Sequence, residues 1–298
     1  MKTMIATESV LLTQAIPLFL DWLKARGMRD ETLRGYRMDV SQFQRWLSDR
    51  SNGPVFVDEV TFPQVEAFVE YMTNERDSKP RTINRKINAL STFFNCLKKK
   101  KLVQENPVDD VERVKVPELE RTYLNKDEIE AIIQAIKHPV IHYFAMMMAH
   151  TGIRVNECTN LTLRDVNLEE GFVQVLDGKG GKNRRVPMNK QLVQHMREFL
   201  DKHRPVTDSL FFFALKKTGT VSEQYVNRLL KEACKETGIQ KHVTSHILRH
   251  SFASYLVTKD THVAVIQRLL GHANLRTTSV YLHVQQADLE EAVNRIDF

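Results

Sequence analysis

The sequence predicts a mainly α-helical protein of two domains, the second of which carries a small β-hairpin. Three observations predict it. The chain has 298 residues, more than the roughly 100–200 usual for one domain. Apolar residues recur at three- and four-residue steps through the first third of the chain. Beyond a proline-bearing segment of alternating charge, a strand–glycine turn–strand pattern interrupts an otherwise helical second part.

The first helix is expected over 8–26, where Leu11, Leu12, Ala15, Ile16, Phe19, Leu20, Trp22 and Leu23 share a face and Gly27 stops the run. A second, over 30–49, places Leu33, Tyr36, Val40, Phe43, Trp46 and Leu47 together, and Ser51-Asn52-Gly53-Pro54 breaks it. A third opens at Thr61, an N-cap residue with Pro63 in the first turn, and runs to about 75. The fourth runs from about 78–80 to 101, with Asn106-Pro107 as the following stop. It carries Lys79, Arg81, Arg85, Lys86 and Lys98 to Lys101 without an acidic residue, beside an apolar stripe of Ile83, Ile87, Leu90, Phe94 and Leu97. Such a face is either simply solvated or lies against DNA phosphates. On the second reading Lys79, Arg81, Arg85 and Lys86 are the DNA-binding candidates.

These four helices make an N-terminal domain over 1–106, and 107–122 reads as a linker. The second domain, 123–298, starts at Asn125-Lys126-Asp127-Glu128, followed by Ile129, Ile132, Ile133 and Ile136 at helical spacing. Within it Phe172 to Leu176 is strand-like, Arg184 to Pro187 is its expected partner, and Gly178-Lys179-Gly180-Gly181-Lys182 is the turn.

Hydrophobic residues make up 42% and charged residues 27%, with 43 Lys+Arg against 37 Asp+Glu. That balance excludes wholesale disorder and a collagen-like fibre, and leans toward a polyanionic partner. No stretch approaches the roughly 20 apolar residues of a membrane span, and the N-terminus has no apolar signal region. Cys96, Cys158 and Cys234 are odd in number and far apart, which suits a reducing cytoplasm rather than a disulfide framework or metal knuckle. No Ser or Thr follows Lys182, so the glycine-rich turn is not a phosphate-binding P-loop. His246 and His250 stand four apart, but Ile247 occupies the position where a zinc protease needs Glu. Neither a metal nor another cofactor is expected.

What remains is a dispersed set of cationic, imidazole and phenol groups, each ordinary when taken singly. Their order is specific: Thr151-Gly152-Ile153-Arg154-Val155-Asn156-Glu157 with Leu161 and Asp165 behind it, and Gly178-Lys179-Gly180. These are followed by His246-Ile247-Leu248-Arg249-His250, Leu269-Leu270-Gly271-His272 and Tyr281. In this order and spacing the chain resembles the tyrosine recombinases of the phage-integrase class. The run Thr82 to Phe94 and Asn106-Pro107 extends the resemblance into the N-terminal half. It implies a four-helix, SAM-like core-binding domain and a mixed, mostly α catalytic domain. It also implies an enzyme that cleaves and rejoins DNA strands through a 3′-phosphotyrosyl intermediate.

The resemblance further assigns roles. Tyr281 is the nucleophile, while Arg154 and Arg249 clamp the non-bridging oxygens, where planar guanidinium forks suit the developing charge. His272 donates to the same phosphate, His246 accepts the tyrosine proton and Lys179 protonates the departing 5′ oxygen. Glu157 and Asp165 are expected to orient Arg154 and its helix. Because the phosphotyrosine conserves the bond energy, strand exchange requires no cofactor. The segment 282–298 bears Leu282, Val284, Leu289, Val293, Ile296 and Phe298. It folds back on its own domain or, on the favoured reading, docks on a neighbour in a tetramer assembled over inverted DNA arms, either with itself or with a second recombinase. The compact plan is most like Xer recombinases, which act in chromosome partition, and like transposon- or plasmid-borne resolvases. A monomeric type IB topoisomerase-like enzyme shares the nucleophile and clamp but has no use for the tail. A non-catalytic DNA-binding protein has no use for the complete set of six.

Overall fold

The computed structural model describes residues 9–117, 122–176 and 183–271. The chain divides into two compact units, Met1–Leu119 and Glu120–Phe298. No helix among the described residues is long and apolar enough to cross a membrane.

The first unit is built from α1 (Leu12–Lys24), α2 (Asp30–Arg50), α3 (Phe62–Asn74) and α4 (Pro80–Lys99). Local chemistry sets their ends. Gly27 takes φ +72° just past α1, a left-handed turn that a side chain disfavours. The Thr61 N–H donates to Gln64 Oε1 at 2.8 Å, the reciprocal half of a capping box. The apolar stripes meet in a core where Phe19, Phe43, Phe68, Phe93 and Phe94 are fully buried. Edge-on ring pairs join Phe19 to Phe93 and Phe43 to Phe68. The stretch expected to be linker belongs to this packing in its first part. Val108 and Val111 are buried in the same core, and Asn84 ties Val114 down through both its backbone N–H and its carbonyl.

One of the expected DNA-facing cations is placed otherwise. Lys86 is only 7% exposed, and its Nζ donates to Asp39 Oδ1 at 2.9 Å and to Gln42 Oε1 at 2.6 Å. Asp39 is itself 3% exposed and also pairs with Arg85. Position 86 follows Ile83 by three and precedes Leu90 by four, so it lies on the packing face. There a buried ammonium has to be paired. Lys86 therefore joins α4 to α2 and is not a phosphate contact, whereas Lys79, Arg81 and Arg85 remain on the exposed side. Removing Lys86 takes away one of the two cations on the buried Asp39 and leaves Gln42 Oε1 without this donor, a loss of about 1–3 kcal/mol. Lys86→Ala is accordingly expected to bring forward the unfolding of this unit in urea, and Arg81→Ala to leave it unmoved. Equal midpoints for the two variants would refute the assignment.

The second unit opens with α5 (Lys126–Ala135), capped by Asn125, whose side chain accepts the Glu128 N–H at 2.9 Å. The apolar helix α6 (Pro139–Thr151) forms its centre, surrounded by α8 (Lys190–Glu198), α9 (Glu223–Glu236) and α10 (Ser245–Val257). A π-helical turn, Phe199–His203, continues α8. The short α7 (Val155–Thr159) and α11 (Val263–Leu270) complete the helices used below. Strands β1 (Val166–Asn167), β2 (Phe172–Val175) and β3 (Arg184–Pro187) form an antiparallel sheet in the order β1-β2-β3. The expected hairpin is present, with Val173 opposite Val186 and Val175 opposite Arg184. β1 is an addition to it, too short at two residues to show an alternating pattern.

Candidate active site

The T-G-x-R-x-x-E spacing has a local cause. α6 ends at Gly152, which takes φ +64° and turns the chain. A Cβ at this position would drive into the Phe252 ring and lie 3.0 Å from Leu270 Cδ2, so the backbone approach depends on glycine. Arg154 is then the N-cap of α7, and Glu157 at its third helical position reaches back to accept the Arg154 backbone N–H at 2.8 Å. The same carboxylate accepts Arg154 Nη1 at 2.8 Å.

Arg249, from α10, is 5% exposed and donates Nη1 to the Gly152 carbonyl at 2.6 Å and Nη2 to the Leu270 carbonyl at 2.7 Å. Arg154 Nη2 points to the Gly271 carbonyl at 3.4 Å. A third guanidinium was not anticipated among the site residues. Arg184 of β3 donates Nε to the Leu269 carbonyl at 3.1 Å and takes Glu157 as a fork, Nη1 to Oε1 at 3.0 Å and Nη2 to Oε2 at 2.7 Å. Among the described residues, three guanidiniums from three elements thus meet the successive carbonyls of Leu269, Leu270 and Gly271. These carbonyls lie at the C-terminal end of α11, where helix carbonyls lack intrahelical partners and the dipole is negative. Gly271 takes φ +63°, and a Cβ on it would lie 3.0 Å from the Arg184 side chain. The next residue is His272.

Burial alone would raise the Glu157 pKa. The hydrogen bond and charge of Arg184, together with the Arg154 backbone N–H and side chain, outweigh that and hold it down at about 2. Its folded value lies below the ordinary 4.5. The ionised clamp therefore stabilises the fold above that ordinary value, and the contribution is lost as pH falls toward 2.

The other expected residues distribute as follows. Asp165 does not reach Arg154. Its Oδ2 accepts the Thr162 N–H at 2.8 Å and the Thr162 hydroxyl at 2.6 Å, closing the turn between α7 and β1, because an aspartate three residues on satisfies its own turn first. His246 lies one turn before Arg249 on α10, with a side chain 64% exposed and Nε2 3.9 Å from Glu223 Oε1. Lys179, His272, Tyr281 and the segment 282–298 lie outside the described residues. Arg184, Gly152 and Gly271 were missed as site residues. The two glycines stood in the recognised motifs, but for Arg184 the available signal was only a charged residue in a strand-like run.

The phage integrase family profile matches residues 122–288, and the profile of a phage integrase N-terminal SAM-like domain matches 17–104. The chain is 32% identical over 296 residues to a tyrosine recombinase of Thermosipho africanus, covering 96% of this chain and all of that one. It is 30% identical over 298 residues to tyrosine recombinase XerA of Pyrococcus furiosus, covering 97% of this chain and 96% of the relative. In fold it is similar to the Tn1549 transposon integrase solved in complex with a circular intermediate DNA. The TM-score is 0.76 at 17% identity, over 95% of this chain and 99% of that one. The chain belongs to the phage integrase family. It is a tyrosine site-specific recombinase, and its reaction is DNA recombination.

Proposed function

We propose that the enzyme resolves directly repeated DNA sites in the manner of Xer recombinases, using Tyr281 as nucleophile and Arg154 and Arg249 as the phosphate clamp. The observation that carries this is the convergence of both arginines on the carbonyls immediately preceding His272. It supports a site in which two guanidinium forks and an imidazole address one phosphate. A free phenol, with a pKa near 10, attacks only as its proton leaves. His246 takes that proton, and Lys179 supplies one to the departing 5′ oxygen. His272 and the two arginines stabilise the charge gathered on the non-bridging oxygens. The 5′ hydroxyl of a second strand then displaces the tyrosine, so one phosphodiester is made for each one broken.

Lys79, Arg81 and Arg85 contact the DNA backbone, and Glu157 holds Arg154 in register. Four protomers assemble over two sites with inverted arms, each docking the apolar tail of Leu289, Val293, Ile296 and Phe298 on its neighbour. The likeness to XerA over nearly the whole chain supports this reading over a transposon-borne role.

The test is a plasmid carrying two direct copies of a site enriched from random-sequence duplex by the wild-type chain. Two circles are expected from the wild type. The chain lacking 288–298 is expected to fill half-sites normally and give no circles. Relaxation of a one-site plasmid without resolution of the two-site plasmid would overturn the reading in favour of a relaxing enzyme.

A further inference from the structure

Among the described residues, one carboxylate, Glu157, is in direct contact with the Arg154 guanidinium. Unopposed, it competes with the substrate: a carboxylate and a phosphate oxygen seek the same planar donors, and its negative charge cancels the arginine's field in a half-buried place where screening is weak. Arg184 changes this balance. Its fork spans both Glu157 oxygens, and it is more buried than Arg154, with side-chain exposures of 11% against 24%. Its third donor, Nε, is fixed on the Leu269 carbonyl. All three donor groups of Arg184 are thus committed, two to α7 and one to α11. Arg154 is the more accessible of the two and makes the longer bond to α11, at 3.4 Å.

We propose that Arg184 is a positioning residue for strand cleavage: by holding and neutralising the Glu157 carboxylate, it keeps that group as a brace for Arg154 rather than a competitor for it. The inference rests on the reading of Arg154 as a phosphate ligand. Two guanidiniums sharing one carboxylate leave a net positive charge facing the substrate. With Arg184 gone, the pair sums to zero, and Glu157 has Arg154 as its remaining cationic partner among the contacts described. With Arg184 in place Glu157 is a full carboxylate at any working pH, since its partners, Arg184 first among them, hold it at about 2. Arg184 also lies close to Gly271, so one side chain meets both the brace and the end of α11.

This predicts a pattern that loss of packing does not produce. Arg184→Gln is expected to lower the single-turnover rate of covalent-complex formation about 10- to 100-fold, the scale of a misplaced catalytic group. The probe is a nicked duplex of the selected site, and half-site affinity is expected to hold. Adding Glu157→Gln to the same chain removes the competing charge and is expected to restore most of the rate, although a second buried partner has been lost. Arg184→Lys, whose single ammonium cannot span both Glu157 oxygens and the Leu269 carbonyl, is expected to fall between wild type and Gln and to be rescued by Glu157→Gln likewise. It is the variant to read should Arg184→Gln fail to fold in the melting assay run alongside. A double variant no faster than the single, or an Arg184 variant as fast as wild type, would overturn the proposal. Arg154→Ala is run in parallel: if it retains cleavage, the clamp assignment itself has failed, which is a separate outcome.

Discussion

Arg249→Lys is expected to reduce strand cleavage by about 10²–10³-fold, the scale of losing one preorganised donor to a developing oxyanion, while affinity for a half-site stays within a few-fold of wild type. The substitution keeps the charge and removes the fork. Arg249 reaches the Gly152 and Leu270 carbonyls from one planar group at 2.6 and 2.7 Å. A lysine ammonium is a single point of donation and cannot bridge both carbonyls while addressing a phosphate. The carbonyl left unpaired costs a further ~1–3 kcal/mol of stability. Single-turnover cleavage of the nicked duplex and a filter-binding isotherm separate the two effects. A cleavage rate within a few-fold of wild type would show that the buried guanidinium serves the fold alone.

Gly152→Ala is the second large effect, and it acts on fold and chemistry together. Its φ of +64° costs a non-glycine residue about 1–2 kcal/mol. The added methyl also meets the Phe252 ring in a packed interior, which costs a further ~1–3 kcal/mol. The strain falls on the carbonyl that accepts Arg249 and two residues before Arg154, so displacement of the clamp by about 1 Å is expected to cut cleavage by roughly 10²-fold. Gly238→Ala is the control. It also takes a positive φ, +72°, but has nothing within 4 Å of its Cβ position, so it is expected to show the backbone cost and no loss of cleavage. Similar cleavage by the two alanine variants would contradict the role given to the close approach at Gly152.

The features legible in the sequence are those with local causes. Thr61 with Pro63, Pro80 at the head of α4 and Asn125 with Glu128 mark helix starts through chemistry confined to one turn, and the helices begin where those residues predict. The hairpin was legible because Val173 and Val175 alternate in one strand and a glycine-rich run separates it from a second short stretch, and the family motifs because their order is distinctive. Lys86 was misread because a charge run suggests solvent, although its spacing to Ile83 and Leu90 placed it on the buried stripe. Its partner Asp39 sits on the packing face of another helix, which no local pattern reveals. The partner of Asp165 was not legible for the opposite reason: motif order pointed to Arg154, whereas its carboxylate closes a turn three residues long just after α7. Arg184 was overlooked because its role arises where β3, α7 and α11 meet. From its own neighbours in sequence it is an ordinary strand residue.

Covalent capture by the Tyr281→Phe variant tests the central claim most directly. The substitution removes one oxygen and leaves the ring. A nicked duplex of the selected site, incubated with wild type, is expected to give an SDS-resistant, protease-sensitive protein–DNA adduct. The Phe variant is expected to bind the same half-site with unchanged affinity and to give none. An adduct formed by Tyr281→Phe at the wild-type level would mean that another residue attacks the phosphate and that the assignment of this site is wrong.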